Sequence, residues 1–184
     1  MVQNRDSLDS EILLVLLKGE SHVRGIAKSL GEPHSTVLRR LDGLAGENVL
    51  DSRTEGRNRV FFIRNSVQAR NYVFNAERYK QMKLLKKYPE MSVIVEDILK
   101  KSDGKLVVIF GSYAKFSAKK GSDIDVFVET LDKKIKENIE SVHSKINAKM
   151  GKFNLNSPLA KEIINGHVIL RGVEEFYEKI GTFG

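Results

Sequence analysis

The residues of this chain best suited to do chemistry lie between Val108 and Phe127. Val108-Ile109-Phe110 runs into Gly111-Ser112, and ten residues later comes Asp123-Ile124-Asp125-Val126-Phe127. A short apolar run of this kind reads as a buried strand, a rigid floor for a site. Gly111 permits a sharp turn and a close approach of backbone to a phosphate. Ser112 adds a hydroxyl and a backbone N–H at the start of a helical turn, where anions are favoured. Side chains alternate along a strand, so Asp123 and Asp125 are expected on the same side of the second strand. Neighbouring carboxylates repel unless a cation lies between them, and their oxygens suit Mg²⁺, or Mn²⁺, bridging to substrate phosphates. The pattern points to phosphoryl chemistry, with Gly111 and Ser112 binding nucleotide and Asp123 and Asp125 as metal ligands and catalytic residues.

Gly-Ser, ten residues and Asp-x-Asp together resemble the signature of the DNA polymerase β-type nucleotidyltransferases, especially their minimal branch. The resemblance covers residues 90–184. It implies a small mixed sheet with flanking helices, transfer of an NMP group from an NTP (ATP the expected donor), and Mg²⁺ or Mn²⁺ as cofactor. The family pattern also carries a third carboxylate on a later strand, where it helps activate the incoming hydroxyl. The segment where it is expected reads Lys152-Phe153-Asn154-Leu155-Asn156 and holds no acid. Glu129 directly follows the second strand and Glu162 falls on a later helix, so neither fits. Asparagine can ligate a metal through its carbonyl oxygen but cannot act as a general base near neutral pH. Lys115, Lys119 and Lys120, between the two halves, suit either a triphosphate or nucleic-acid acceptor or a merely solvated basic loop.

The elements that position this motif read as an α/β or α+β sheet domain. Leu106–Phe110 and Ile124–Val128 are strands. Leu131–Met150 has a helical pattern, Lys152–Leu155 is short, Pro158–Asn165 is a helix opening with proline, His167–Leu170 a strand and Val173–Ile180 a terminal helix. Upstream, Val67–Tyr88 reads as a connecting helix that Pro89 interrupts, and Ser92–Lys101 resumes as the opening helix of the sheet domain.

The N-terminal third has a different pattern. Ser7–Lys18, His22–Leu30 and Ser35–Ala45 read as three amphipathic helices, with Ser21 as the expected N-cap of the second. Val49–Arg53 and Arg59–Ile63 read as strands joined by Thr54-Glu55-Gly56-Arg57-Asn58. His22-Val23-Arg24-Gly25-Ile26-Ala27, Ser35-Thr36-Val37, Leu41 and the Glu55-Gly56-Arg57 wing resemble the winged helix-turn-helix of bacterial and archaeal transcription regulators. That resemblance assigns Ser35, Thr36, Arg39 and Arg40 to groove or phosphate contact in double-stranded DNA, and Arg57 and Arg59 on the wing to backbone or minor groove. It leaves open a winged helix used for protein contact or dimerisation. The whole chain is therefore expected to be α+β: a winged helix-turn-helix domain over 1–66, a connecting helix over 67–89 and a minimal nucleotidyltransferase domain over 90–184.

Composition bounds these readings. At 184 residues, 41% hydrophobic and 30% charged, the chain has the material for a globular core. Its longest apolar run, Ile12–Leu17, is far short of the roughly 20 residues that span a bilayer. Met1–Ser10 lacks the pattern of a signal peptide, and the absence of cysteine excludes disulfides and thiolate metal sites. These features favour the cytoplasm. The net charge of +7 is spread along the chain with no basic tail. A mild positive field assists binding to nucleic acid or nucleotide without establishing it.

The leading expectation is a nucleotidyltransferase whose acceptor is a protein side chain, a nucleic-acid end or a small molecule. The minimal branch implies a partner protein such as a HEPN-type toxin, with the DNA-binding domain allowing antitoxin-like autoregulation. The competing expectation is a winged-helix regulator whose degenerate transferase domain only binds nucleotide. A third is an RNA-modifying enzyme that uses the winged helix to hold its substrate. Many winged-helix proteins dimerise, and Val67–Tyr88 is the candidate interface helix for a homodimer.

Overall fold

Apolar residues at helical spacing close the N-terminal core. The computed structural model of the chain describes residues 5–183, so Met1–Asn4 of the segment read for a signal peptide lie outside the described residues. Helix α1 (Arg5–Leu16) buries Leu8, Ile12, Leu13 and Leu16. Helix α2 (Val23–Leu30) buries Val23, Ile26 and Ala27, and ends at Gly31, whose φ of 67° is the left-handed cap that glycine adopts without a Cβ penalty. Helix α3 (His34–Gly46) buries Val37, Leu41 and Leu44 on the same core. The expected N-cap Ser21 is replaced by His22: Nδ1 of His22 accepts from the Gly25 N–H at 2.8 Å. Ser21 lies one residue too early because it belongs to a short strand, β1 (Ser21–His22).

Strand β1 joins β2 (Leu50–Glu55) and β3 (Asn58–Ile63) in an antiparallel sheet of order β1-β3-β2. The wing is tighter than its sequence suggests. Its strands pair out to Glu55 and Asn58, leaving only Gly56 and Arg57 at the tip, with Gly56 at φ 60°. Three helices and this sheet form a winged helix-turn-helix.

The long helix α4 (Val67–Lys87) is divided between two units, the first running to Tyr79 and including Phe183, the second comprising Lys80–Thr182. The division falls inside the helix, whereas the sequence suggests breaks at its ends. In the second unit, α5 (Met91–Lys101) precedes β4 (Val107–Phe110), whose four residues are all buried. A one-turn helix α6 (Gly111–Ala114) leads to a loop and then to β5 (Ile124–Val128). Residues 131–150, expected as one helix, are in fact a helix and a strand: α7 (Lys133–Glu140) and β6 (Ile146–Met150). Helix α8 (Pro158–Asn165), strand β7 (Val168–Arg171) and helix α9 (Val173–Ile180) complete the unit. The four-stranded sheet has order β6-β5-β4-β7, with β5 and β6 parallel and the other pairs antiparallel. The chain is thus α+β, a winged helix followed by a mixed sheet with flanking helices.

One expected DNA contact has a structural task instead. Arg40 forms a two-pronged ion pair with Asp9 on α1, Nε donating to Oδ1 at 2.7 Å and Nη2 to Oδ2. The Asp9 side chain is only 8% exposed and that of Arg40 23%. The reading of Arg40 as a DNA-contacting residue is corrected accordingly: its guanidinium ties α3 to α1. Replacing Arg40 with Ala strands a buried carboxylate, and the winged-helix unit should lose about 2–3 kcal/mol. Denaturant titration followed by far-UV circular dichroism measures this; a loss below about 0.5 kcal/mol, the level of exposed pairs, would refute the role.

Candidate functional site

The sheet of the second unit brings the halves of the motif together. Strand β4 ends at Phe110, paired in register with Asp125 of β5. Gly111 then turns the chain with φ 67° into α6, so its backbone lies directly against the Asp125 side chain. A Cβ built on Gly111 would stand 2.3 Å from Asp125 Oδ2. Glycine is required here twice over, for its left-handed conformation and for the space the carboxylate occupies.

Asp125 is half-buried, and Asp123 is exposed and stands just before β5. Ser112 is half-buried in the first turn of α6; its carbonyl accepts from the Ser117 N–H at 3.0 Å, and among the described residues its hydroxyl has no partner. The leading N–H groups of a helical turn also lack intrahelical acceptors. In the connecting loop, the Ser122 hydroxyl accepts from the Lys119 N–H at 2.9 Å and fastens the turn into β5. Lys115, Lys119 and Lys120 are exposed and, among the described residues, form no ion pair.

The residue that sequence reasoning missed is Asn147. It lies on β6, in parallel register with Asp125, and its Nδ2 donates to Asp125 Oδ1 at 2.9 Å. The polar side chain that meets Asp125 thus comes not from 152–156 but from the strand concealed in the presumed helix. Asn154 and Asn156 have another function: Asn154 Oδ1 accepts from the Asn156 N–H at 3.0 Å and its carbonyl accepts from Ser157, the N-cap of α8. Glu162 is exposed on α8. Glu129 lies at the far end of β5 from Asp123, where it accepts from the Phe153 N–H at 3.0 Å and from Lys179 Nζ at 3.1 Å. Burial pushes its pKa up, but these two donors outweigh burial and the net shift is downward.

Asp123, Asp125 and the Asn147 carbonyl are all oxygen donors of the kind hard divalent cations take. Among the described residues no group of three or more His, Cys, Asp or Glu gathers to hold a metal. Donors of this kind suit a cation that completes its shell with substrate phosphates.

The first unit presents a separate face. A cavity of about 440 Å³ is lined by His22, Val23, Arg24, His34, Arg57, Asn58 and Arg59, with no carboxylate among them. Of the expected DNA contacts, Ser35, Arg39 and Arg57 are exposed and Thr36 is half-buried. Arg59 is held by Asp42 at 2.6 Å and Ser52 at 2.8 Å, with its guanidinium over the Phe61 ring. Arg53 is engaged by Glu20 and Glu55, and Arg64 by Asp51. Arg24, His22 and His34 line the cavity without having been assigned as DNA contacts from sequence; they stand at the openings of α2 and α3.

Residues 91–163 match the family model of the nucleotidyltransferase domain. The motif of β4, α6 and β5 lies within the matched segment of the second unit. No curated protein matches the chain. Among solved structures, the N-terminal part is similar to the solution NMR structure of the homodimeric winged helix-turn-helix DNA-binding domain (fragment 1–100) of Mb0332 from Mycobacterium bovis, described as a possible ArsR-family transcriptional regulator. The identity is 28% over 35% of this chain and 59% of that one, with a TM-score of 0.33. No helix among the described residues is long and apolar enough to cross a membrane.

The seat of Asp125 on Gly111 can be tested directly. Gly111→Ala forces a side chain into a left-handed conformation, costing roughly 1–2 kcal/mol, and displaces the Asp125 carboxylate. Thermal melting should show the destabilisation, and nucleotide titration should show binding lost. Unchanged melting and binding would mean that the close contact has no role.

Proposed function

We propose that the protein is a nucleotidyltransferase that moves an NMP group from an NTP, with ATP as the expected donor, to a macromolecular acceptor. The observation that carries this reading is the Asp125 carboxylate seated on Gly111 at the β4–α6 turn, with Asp123 two residues before it, inside the segment that matches the nucleotidyltransferase domain. Transfer forms a bond from the acceptor oxygen to the α-phosphorus and breaks the α–β bridge, releasing pyrophosphate. The acceptor proton goes to solvent, because Asn147 cannot accept it. Gly111 brings its backbone to the phosphates, and Ser112 offers its unpartnered hydroxyl. Asp123 and Asp125 would hold Mg²⁺ or Mn²⁺, which neutralises triphosphate charge. The lysines of the 115–120 loop add cations that, among the described residues, no carboxylate engages.

The winged helix supplies the second half of the proposal, a double-stranded DNA contact made by the cavity between α2, α3 and the wing. Arg24 and Arg57 line that cavity and Arg39 is exposed on α3, with Ser35 and Thr36 at the start of the same helix. A protein acceptor, such as a HEPN-type toxin, would suit a chain that also regulates its own gene, and such regulators commonly act as homodimers.

Incubation with α-labelled NTPs, Mg²⁺ and cell extract should yield a labelled acceptor. Asp123→Asn should lower labelling at least 100-fold, a conservative value for loss of a metal-binding carboxylate. Nucleotide binding with no labelled acceptor would favour the second reading, a regulator that only senses nucleotide, which draws on the amide at Asn147.

Arg24→Ala and Arg57→Ala should each weaken duplex DNA binding alike for all sequences. Each should also reduce the slope of log affinity against log salt by about 0.9, the increment for one phosphate contact. Gel-shift titrations across a salt series measure both. Unchanged slopes, or tighter binding of RNA than of duplex DNA at fixed salt, would overturn this assignment of the cavity.

A further inference from the structure

We infer that Asn147 is a positioning residue that makes this a site for a single divalent ion per bound nucleotide. The inference rests on the nucleotidyltransferase reading above and specifies its metal requirement.

Asp125 is held from two sides, by the Asn147 amide at Oδ1 and by the Gly111 backbone beside Oδ2. Its orientation is therefore fixed without a cation. A carboxylate oxygen has more than one acceptor direction, so Oδ1 can keep the amide bond and still face a metal. The register of β5 and β6 puts side chain 147 beside side chain 125 by backbone pairing alone. Any residue at 147 thus acts on Asp125.

Charge then decides how many cations the site needs. Asp123 and Asp125 carry two formal negative charges, which one divalent ion balances. A carboxylate at 147 would place a third negative charge at hydrogen-bond distance from Asp125. Like charges that close cannot both remain ionised without a proton or a further cation between them. The amide removes that demand, and it donates a hydrogen bond where a carboxylate would repel. Among the described residues no other side chain bonds to either aspartate.

The experiment counts protein-bound Mn²⁺ by electron paramagnetic resonance, using the full chain saturated with α,β-methylene ATP. One Mn²⁺ per bound nucleotide is expected for the natural chain and two for Asn147→Asp. Without metal, Asn147→Asp should melt at a lower temperature than the natural chain, and added Mn²⁺ should restore it. Asn147→Ala should keep the count at one and weaken Mn²⁺ binding by about 10-fold, the usual cost of losing a residue that orients a metal ligand. Circular dichroism confirms that each variant is folded, and a metal-dependent rise in melting temperature separates a site effect from a general packing defect. A count of two in the natural chain overturns the inference, as does a count of one in folded Asn147→Asp or unchanged Mn²⁺ affinity in Asn147→Ala. A natural chain that binds no Mn²⁺ with the nucleotide overturns the nucleotidyltransferase reading itself.

Discussion

The second unit is organised around the Asp125 carboxylate, which meets the backbone of one neighbouring strand end and the side chain of another strand. Asp125 pairs with Phe110 on one side and with Asn147 on the other, so three strands must be in register for the site to exist. A slip of one residue in any of them would turn that strand's side chains to the opposite face and separate Asp125 from its partners. The buried residues of β4 and β5 fix that register, because each has its place in a close-packed core. Core packing and site geometry are therefore one constraint.

The winged-helix unit shows the reverse use of charge. Four of its arginines are engaged by acids of the same unit: Arg40 by Asp9, Arg53 by Glu20 and Glu55, Arg59 by Asp42 and Arg64 by Asp51. Exposed pairs of this kind contribute little to stability individually, but they neutralise cations that a residue count would treat as free. Arg24 and Arg57, which form no such pair among the described residues, both line one cavity. A small net charge in this part of the chain is thus compatible with a locally positive face.

Much of this was legible in the sequence. The strand ending in Gly111-Ser112 and the spacing to Asp123 and Asp125 were visible because each depends on local backbone geometry. The terminal elements from Pro158 to Ile180 were also plain, marked by proline at the start of one helix and glycines around the other. Strand β6 was not. Ile139, Val142 and Ile146 fall at helical spacing, and Ala148, Lys149 and Met150 are good helix formers, so the local pattern continues α7. Parallel pairing with β5 overrides that preference, as tertiary context often does. Because the strand was hidden, the position of Asn147 was hidden with it, and the search for a third polar residue moved downstream to Asn154 and Asn156. Likewise, the engagement of Arg40 was hidden because its partner Asp9 lies 31 residues away in sequence.

Strand β6 is also the margin of its sheet. It pairs only with β5, so along its outer side no described strand satisfies its backbone groups. Margins of this kind invite a further strand to add itself, and an outward charge in mid-strand discourages it. Lys149 is exposed in that strand, two residues beyond Asn147. With half the ladder of an interior strand, β6 should exchange its amide hydrogens sooner than β4 or β5. The support of Asp125 thus joins the end of an interior strand to a marginal one, and the asparagine side is the one expected to open first.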